Sequence, residues 1–186
     1  DEIRDLGVEV SPLTMPLGAE RYEFPEAFEL SAEFIPQATE STVWHDCVLW
    51  DDMYVNYEHA SGNEYNKMGL QVQMSRYERS VYPVVYLGLG DRSCRIAGPS
   101  RPVKTGDRLS FAFTYDANRR ILWKLDDQTS ESTLPKSGPV APGTCNLTIG
   151  DRVGSNYQPF DAAIERVSVT ALERQLFVVQ KINAVS

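Results

Sequence analysis

The sequence predicts an all-β chain, and three observations carry that prediction. Short runs alternate apolar and polar residues at period two, Gly, Pro, Asn and Asp break the chain between them, and sustained helical periodicity is missing almost throughout. At 186 residues the chain fits one domain, 1–186, because all-β sandwiches of this length rarely divide. Such a chain buries roughly 70% of its unfolded surface. With 42% hydrophobic residues it builds a core without disulfide staples.

The strands follow in order. Residues 1–20 are expected to add an edge strand, with Val8, Val10 and Leu13 facing inward. Phe28, Leu30, Ala32 and Phe34 alternate with Glu29, Ser31 and Glu33, which puts the apolar set on one face and the polar set on the other. Pro25 and Pro36 bracket that run. Met68, Leu70, Val72 and Met74 repeat the pattern with Gln71 and Gln73 opposite, and 81–89 is a continuous apolar run, as in a strand buried on both sides. Gly88-Leu89-Gly90-Asp91 lacks a following helix and reads as a β-turn, not a phosphate cradle.

Leu109, Phe111, Phe113 and Tyr115 alternate with Ser110, Ala112 and Thr114; Asp116-Ala117-Asn118 then precedes Ile121, Trp123 and Leu125. That predicts a hairpin, with Asp and Asn tolerating the positive φ of a tight reversal. Residues 130–143, rich in Ser, Thr, Pro and Gly, read as a loop with a short strand at most. Leu147 and Ile149 begin the penultimate strand, and Ile164, Val167 and Val169 the last. Beyond Val169 the chain stays extended or makes one helical turn over 171–175.

Two segments resemble the laminin-G-like, concanavalin A-like sandwiches. Gly150-Asp151-Arg152-Val153-Gly154 leads through Tyr157 and Pro159-Phe160 to Ile164-Glu165-Arg166-Val167, similar to the closing loop and strand of that family. Over 111–127, an aromatic and a Tyr-Asp step followed by Leu122-Trp123 and an Asp resemble its central hairpin. The resemblance covers 24–169 and implies a two-sheet antiparallel β-sandwich, a jelly roll, acting as a lectin or adhesion module of a larger extracellular, cell-surface or periplasmic protein. Ala162-Ala163 departs from it, standing where the family has a glycine, and no cysteine follows Cys145.

Charge narrows the partners. A net charge of -8 without a basic stripe argues against a nucleic-acid backbone, which needs clustered Lys and Arg. No apolar run approaches the ~20 residues of a membrane span, so membrane insertion is not expected. Residues 1–5 lack the basic and apolar regions of a signal peptide. Cys47, Cys94 and Cys145 are an odd set, allowing at most one internal bridge. The alternatives are three buried thiols or one pair, for which Cys94 with Cys145 is preferred. Asn146-Leu147-Thr148 is a formal glycosylation acceptor, but the following strand is expected to bury it.

The most unusual composition is 44–59, which holds both histidines and two of the three tryptophans. Aromatic rings stack on the apolar faces of pyranoses, while Asp, Asn and His bond hydroxyls directionally. Tyr54, Asn56, Tyr57, His59 and Tyr65, with Tyr157 from the later loop, are therefore the candidate ligand contacts, for a glycan or polysaccharide. Trp44, Val48 and Trp50 read equally as core residues of a strand.

Calcium is a candidate cofactor, since it takes six to eight oxygens from carboxylates, amides and carbonyls. Asp51, Asp52 and Glu58 are candidate ligands in this stretch, although no spacing matches a defined calcium loop. The resemblance implies rim sites scattered in sequence, which adds Asp126 and Asp127.

Catalysis, as a glycoside hydrolase or polysaccharide lyase on the same fold, is the alternative reading. A retaining glycosidase holds two carboxylates ~5 to 5.5 Å apart, whereas Glu29 and Glu33, on one strand face, lie about 13 Å apart. His45 or His59 with Tyr57 and Arg76 could form a lyase set, but no lyase motif is present. Two histidines with one nearby cysteine do not reproduce the ligand spacings of structural zinc. Noncatalytic recognition is the favoured function, and a structural or protein-binding module is the third reading.

Overall fold

The computed structural model describes residues 2–4, 13–15, 23–36, 45–53, 67–77, 79–104, 106–143, 147–151, 162–172 and 174–182. Among them are β1 (Glu2–Arg4), β2 (Leu13–Met15), β3 (Phe28–Pro36), β4 (His45–Asp51), β5 (Leu70–Tyr77), β6 (Ser80–Gly88) and β7 (Ser93–Ala97). There follow β8 (Arg101–Pro102), β9 (Leu109–Tyr115), β10 (Arg120–Leu125), β11 (Gln128–Thr133), β12 (Leu147–Ile149), β13 (Ala162–Ala171) and β14 (Arg174–Ile182). One sheet runs β1-β14-β13-β3-β9-β10-β11 and the other β2-β12-β4-β5-β6-β7, with β8 also on β6. Every pairing is antiparallel except β1 on β14.

Alternation builds the core. Phe28, Leu30, Ala32 and Phe34 of β3 point inward, as do Leu109, Phe111, Phe113 and Tyr115 of β9 and Ile121, Trp123 and Leu125 of β10. They meet Trp50, Leu70, Val72, Met74, Val85 and Leu87 of the second sheet. Phe113 lies at the centre of the aromatic set, its ring 5.7 Å from Phe28, 6.2 Å from Phe111 and 6.0 Å from Trp123. Trp123 satisfies its polar tip at the rim, where Nε1 donates to Ser132 Oγ over 2.8 Å.

Irregularities have local causes. The register of β13 against β3 shifts between Ile164 and Arg166, so Ile164 and Val167 both point inward although three positions apart. Pro83 stands inside β6 because its missing N–H is not needed. Its carbonyl faces Gly98 N at 2.8 Å, its N side faces the same way, and β7 has ended by then. The β9–β10 turn takes positive φ at Ala117 and Arg119, not at Asp116 or Asn118. Asp116 instead caps the turn, accepting from Asn118 N at 2.8 Å.

Four further expectations are corrected. Met68 precedes β5 in a bend, so the strand starts at Leu70. Gln71 and Gln73 are buried, not solvent-facing, and Gln73 Nε2 donates to Gln71 Oε1 over 2.6 Å, which offsets part of their desolvation. Of the two alternatives beyond Val169 the helical turn falls: the chain turns at Leu172 and returns as β14 from Arg174, an antiparallel partner that satisfies the β13 backbone. Cys94 is a free thiol in the core, as is Cys47, so Cys94 is not bridged to Cys145. Cys94 points inward from β7, opposite Leu87.

Residues 130–143 carry the end of β11 and then an extended strap. Its backbone is pinned by Leu134 N to Arg119 O, Gly138 N to Ala117 O and Ala141 N to Gly88 O, each at 2.7 to 2.9 Å. Thr148, the last residue of the glycosylation triplet, is buried in β12, while the acceptor Asn146 lies outside the described residues. Edge strands from the first residues close both sheets, β1 on one and β2 on the other; Val8 and Val10 lie outside the described residues.

Phe113→Ala should cost about 3–5 kcal/mol in chemical denaturation; a loss under about 1 kcal/mol would contradict its central place in the core.

Candidate functional site

The outer face of the first sheet is read from register. Thr170, Glu29, Thr114, Leu122 and Glu131 stand side by side across β13, β3, β9, β10 and β11. The next row is Ser168, Ser31, Ala112, Lys124 and Thr129, and the one beyond begins Arg166, Glu33, Ser110. The middle row is built mostly of small side chains, so the sheet surface is depressed between rows that carry Glu29, Leu122 and Glu131 on one side and Arg166 and Glu33 on the other. Two adjoining cavities of about 310 and 380 Å³ lie along this depression and share Glu29, Ala112 and Lys124. Crossing five strands, the trough is roughly 19 Å long.

Its floor is hydroxylated and its walls are charged. Ser31 Oγ and Ser168 Oγ bond each other at 2.7 Å, leaving acceptor capacity on both for a ligand. Thr114 Oγ1 donates to Glu29 Oε2 over 3.3 Å. On one wall Glu131 pairs with Arg120 at 3.0 Å. Leu122, 39% exposed, adds an apolar patch. The surface therefore offers donors, acceptors and a small apolar contact along one open line, suited to a polyhydroxylated ligand lying across the strands.

A second polar feature is closed. Beyond β4, Asp52 is buried between glycines: a Cβ on Gly143 would stand 2.5 Å from Asp52 Oδ2 and 2.6 Å from its carbonyl oxygen. Leu70 N donates to Asp52 Oδ1 over 2.6 Å and Asp52 N donates to Leu70 O over 3.2 Å, tying the end of β4 to the start of β5. Burial, reinforced by the neighbouring Asp51 charge, pushes the Asp52 carboxyl up to about 7 despite the Leu70 hydrogen bond. Asp51 is also buried and accepts from Met53 N at 3.0 Å.

Of the residues singled out from sequence, Tyr54, Asn56, Tyr57, Glu58, His59, Tyr65 and Tyr157 lie outside the described residues. Trp50 is a core residue and Val48 is buried, as the strand reading has it, while Trp44 lies outside the described residues. Asp126, at the β10–β11 turn, accepts from Ser110 N at 2.8 Å and pairs with Arg101, while Asp127 is exposed. Among the described residues no three acidic, histidine or cysteine side chains converge as a metal-ligand set. The candidate acids that are described divide between two places, the end of β4 and the β10–β11 turn.

The trough was missed in the sequence because its residues form the polar half of each alternating strand, the half that ordinarily faces solvent. The available signal was their size: Ser31, Ser110, Ala112 and Ser168 are smaller than a solvated face requires.

No family model matches the sequence, and no curated protein does. Solved structures do. Domains LG4-5 of the mouse laminin α1 chain align with a TM-score of 0.55 at 15% identity, over 96% of this chain and 45% of that one. The enzymatically active domain of tailspike protein 2 of bacteriophage CBA120 aligns at 0.54 and 10% identity, over 87% and 27%. A native heptameric SAP-like pentraxin from Limulus polyphemus aligns at 0.50 and 11%, over 83% and 72%. The fold is thus the laminin-G-like, concanavalin A-like jelly roll expected from 111–127 and 150–167. The chain spans less than half the length of the laminin and tailspike chains it matches.

The Asp52 carboxyl sets a pH dependence with a definite sign. Its folded pKa is raised, so the unfolded chain ionises first, and stability falls as pH rises from about 4 to about 7 and is then flat. Asp52→Asn keeps an oxygen for Leu70 N and removes the titration. Measured with chelator present, the native-minus-variant stability difference should shift by on the order of 3 kcal/mol across that window, in the variant's favour at high pH. A difference that does not change with pH would contradict the assignment.

Proposed function

We propose that this domain is a noncatalytic recognition module whose ligand is carbohydrate. The observation that supports this most directly is the row crossing five strands, Ser168, Ser31, Ala112, Lys124 and Thr129, small except at Lys124, along an open trough. A sugar chain presents hydroxyls on its edges and apolar C–H faces between them. Serine hydroxyls, flanking carboxylates and cations, and the Leu122 side chain complement both. An acidic domain with no helix, among its described residues, long and apolar enough to cross a membrane also suits an extracellular or cell-surface module that targets a larger protein to a glycan. Tyr54, Asn56, Tyr57, His59, Tyr65 and Tyr157 are proposed as additional stacking and hydrogen-bonding contacts from the loops.

An enzyme on the same scaffold is the second reading, prompted by the likeness to the enzymatically active tailspike domain. Glu29 and Glu33 are the carboxylates lining the 310 Å³ cavity, and they are separated by about 13 Å along β3, too far for the retaining glycosidase pair. Calcium is a separate proposal. Its candidate ligands are Asp51, Asp52 and Glu58 near the end of β4 and Asp126 and Asp127 at the β10–β11 turn.

Affinity electrophoresis through a panel of glycans should retard the native chain in at least one, without shortening it. Ala112→Trp, which fills the trough floor, should abolish that retardation while leaving the melting temperature within a few degrees; a retained affinity would remove the trough as the site. Tyr57→Ala should weaken binding by roughly 1 kcal/mol, and an unchanged affinity would exclude it. Millimolar calcium should raise the melting temperature relative to chelator, and identical melts would end the calcium proposal.

A further inference from the structure

Several cations outside the trough are paired with acids. Arg92, Arg101, Arg108, Arg120 and Lys136 each stand beside a carboxylate. Among the described residues, Lys124 and Arg166, which line the same 310 Å³ cavity, have no side-chain ion-pair or hydrogen-bond partner. Arg166 is even directly opposite Glu33 in the β13–β3 register without closing a bridge to it. The two cations flank the serine floor from different strands, roughly 14 Å apart across the sheet and 7 Å along it by strand geometry. From those positions both side chains are long enough to meet a ligand group lying above Ser31 and Ala112.

From this arrangement we infer that the trough selects a glycan carrying an isolated anionic substituent, a carboxylate or a sulfate, held between Lys124 and Arg166. The inference rests on the carbohydrate reading and narrows it. A guanidinium matches a carboxylate or sulfate through two parallel N–H donors, and an ammonium adds a point charge from the other side. Glu29 and Glu33, in the same cavity, accept hydroxyls of the neutral sugars on either side.

The wider charge balance limits how anionic that ligand can be. With a net charge of -8 and three carboxylates, Glu29, Glu33 and Glu131, lining the trough, a densely charged polyanion meets repulsion along most of its length. A chain in which acidic units are separated by neutral ones places its charge at the cations and its hydroxyls at the glutamates.

The test uses the full chain and a set of polysaccharides: several containing uronate at intervals, their carboxyl-reduced forms with the same backbone, heparin as a dense polyanion, sparsely sulfated galactans, and neutral glucans. At least one of the sparsely charged glycans should bind, carboxyl reduction or desulfation should weaken it at least tenfold, and Lys124→Gln and Arg166→Gln should each do the same without lowering the melting temperature. Heparin should bind more weakly than that glycan. Binding that survives removal of the acid group, or both variants, would overturn the inference and leave carbohydrate recognition standing. Heparin as the strongest ligand would overturn the sparse-charge assignment. Failure of every glycan, acidic and neutral, would overturn the inference together with the carbohydrate reading.

Discussion

The structure depends on the register that locks β3 between β9 and β13. Seven consecutive residues of β3, from Phe28 to Phe34, pair with β9, and the run from Phe28 to Pro36 pairs with β13. A slip of one residue on either side would turn Phe28, Leu30 and Phe34 to solvent and bring Glu29, Ser31 and Glu33 into the core. Burial of the aromatic row therefore fixes the outer row as well. The same pairing that packs Phe113 against Phe28 aligns Ser168, Ser31 and Ala112 into one line across the sheet, and the trough follows from the core.

The second sheet answers a different demand. Its β5 and β6 are buried on both faces, so polar residues such as Gln71, Gln73 and Ser75 must find partners inside. Where β4 ends, Asp52 sits against Gly69 and Gly143, and its carboxyl clamps β4 to β5 through Leu70. A carboxylate so enclosed loses its hydration and gains one short backbone hydrogen bond, and desolvation is the larger effect. The neutral form relieves that cost near and below neutral pH. Strength in this sheet thus comes with sensitivity to ionisation, whereas the first sheet keeps its charges on an open face.

Much of this architecture was legible in the sequence, for a physical reason. β3, β9 and β10 each bury one face and solvate the other, so their period of two is written in residue type. The strand over 80–88 was legible as a continuous apolar run for the opposite reason, burial on both sides. What failed to show depended on neighbours distant in sequence. Gln71 and Gln73 look solvated until a covered sheet face is known, the bulge at Glu165 has no local signature, and positive φ fell on Ala117 and Arg119 because Asp116 serves the turn as an acceptor. β11, polar throughout, carries no alternation that a core would impose. The trough was the least legible feature, because it exists only when β13, β3, β9, β10 and β11 are set side by side, whereas the aromatic stretch 44–59 is conspicuous in composition alone.

The most direct test of the account is to record backbone amide chemical shifts of the labelled chain while titrating a retained glycan. The account predicts progressive shifts concentrated at outward-facing positions 29–33, 110–114, 122–124 and 166–170, on strands adjacent in space but scattered in sequence. Saturable binding with those strands unperturbed, and all shifts confined elsewhere, would contradict the claim that core register creates the binding surface.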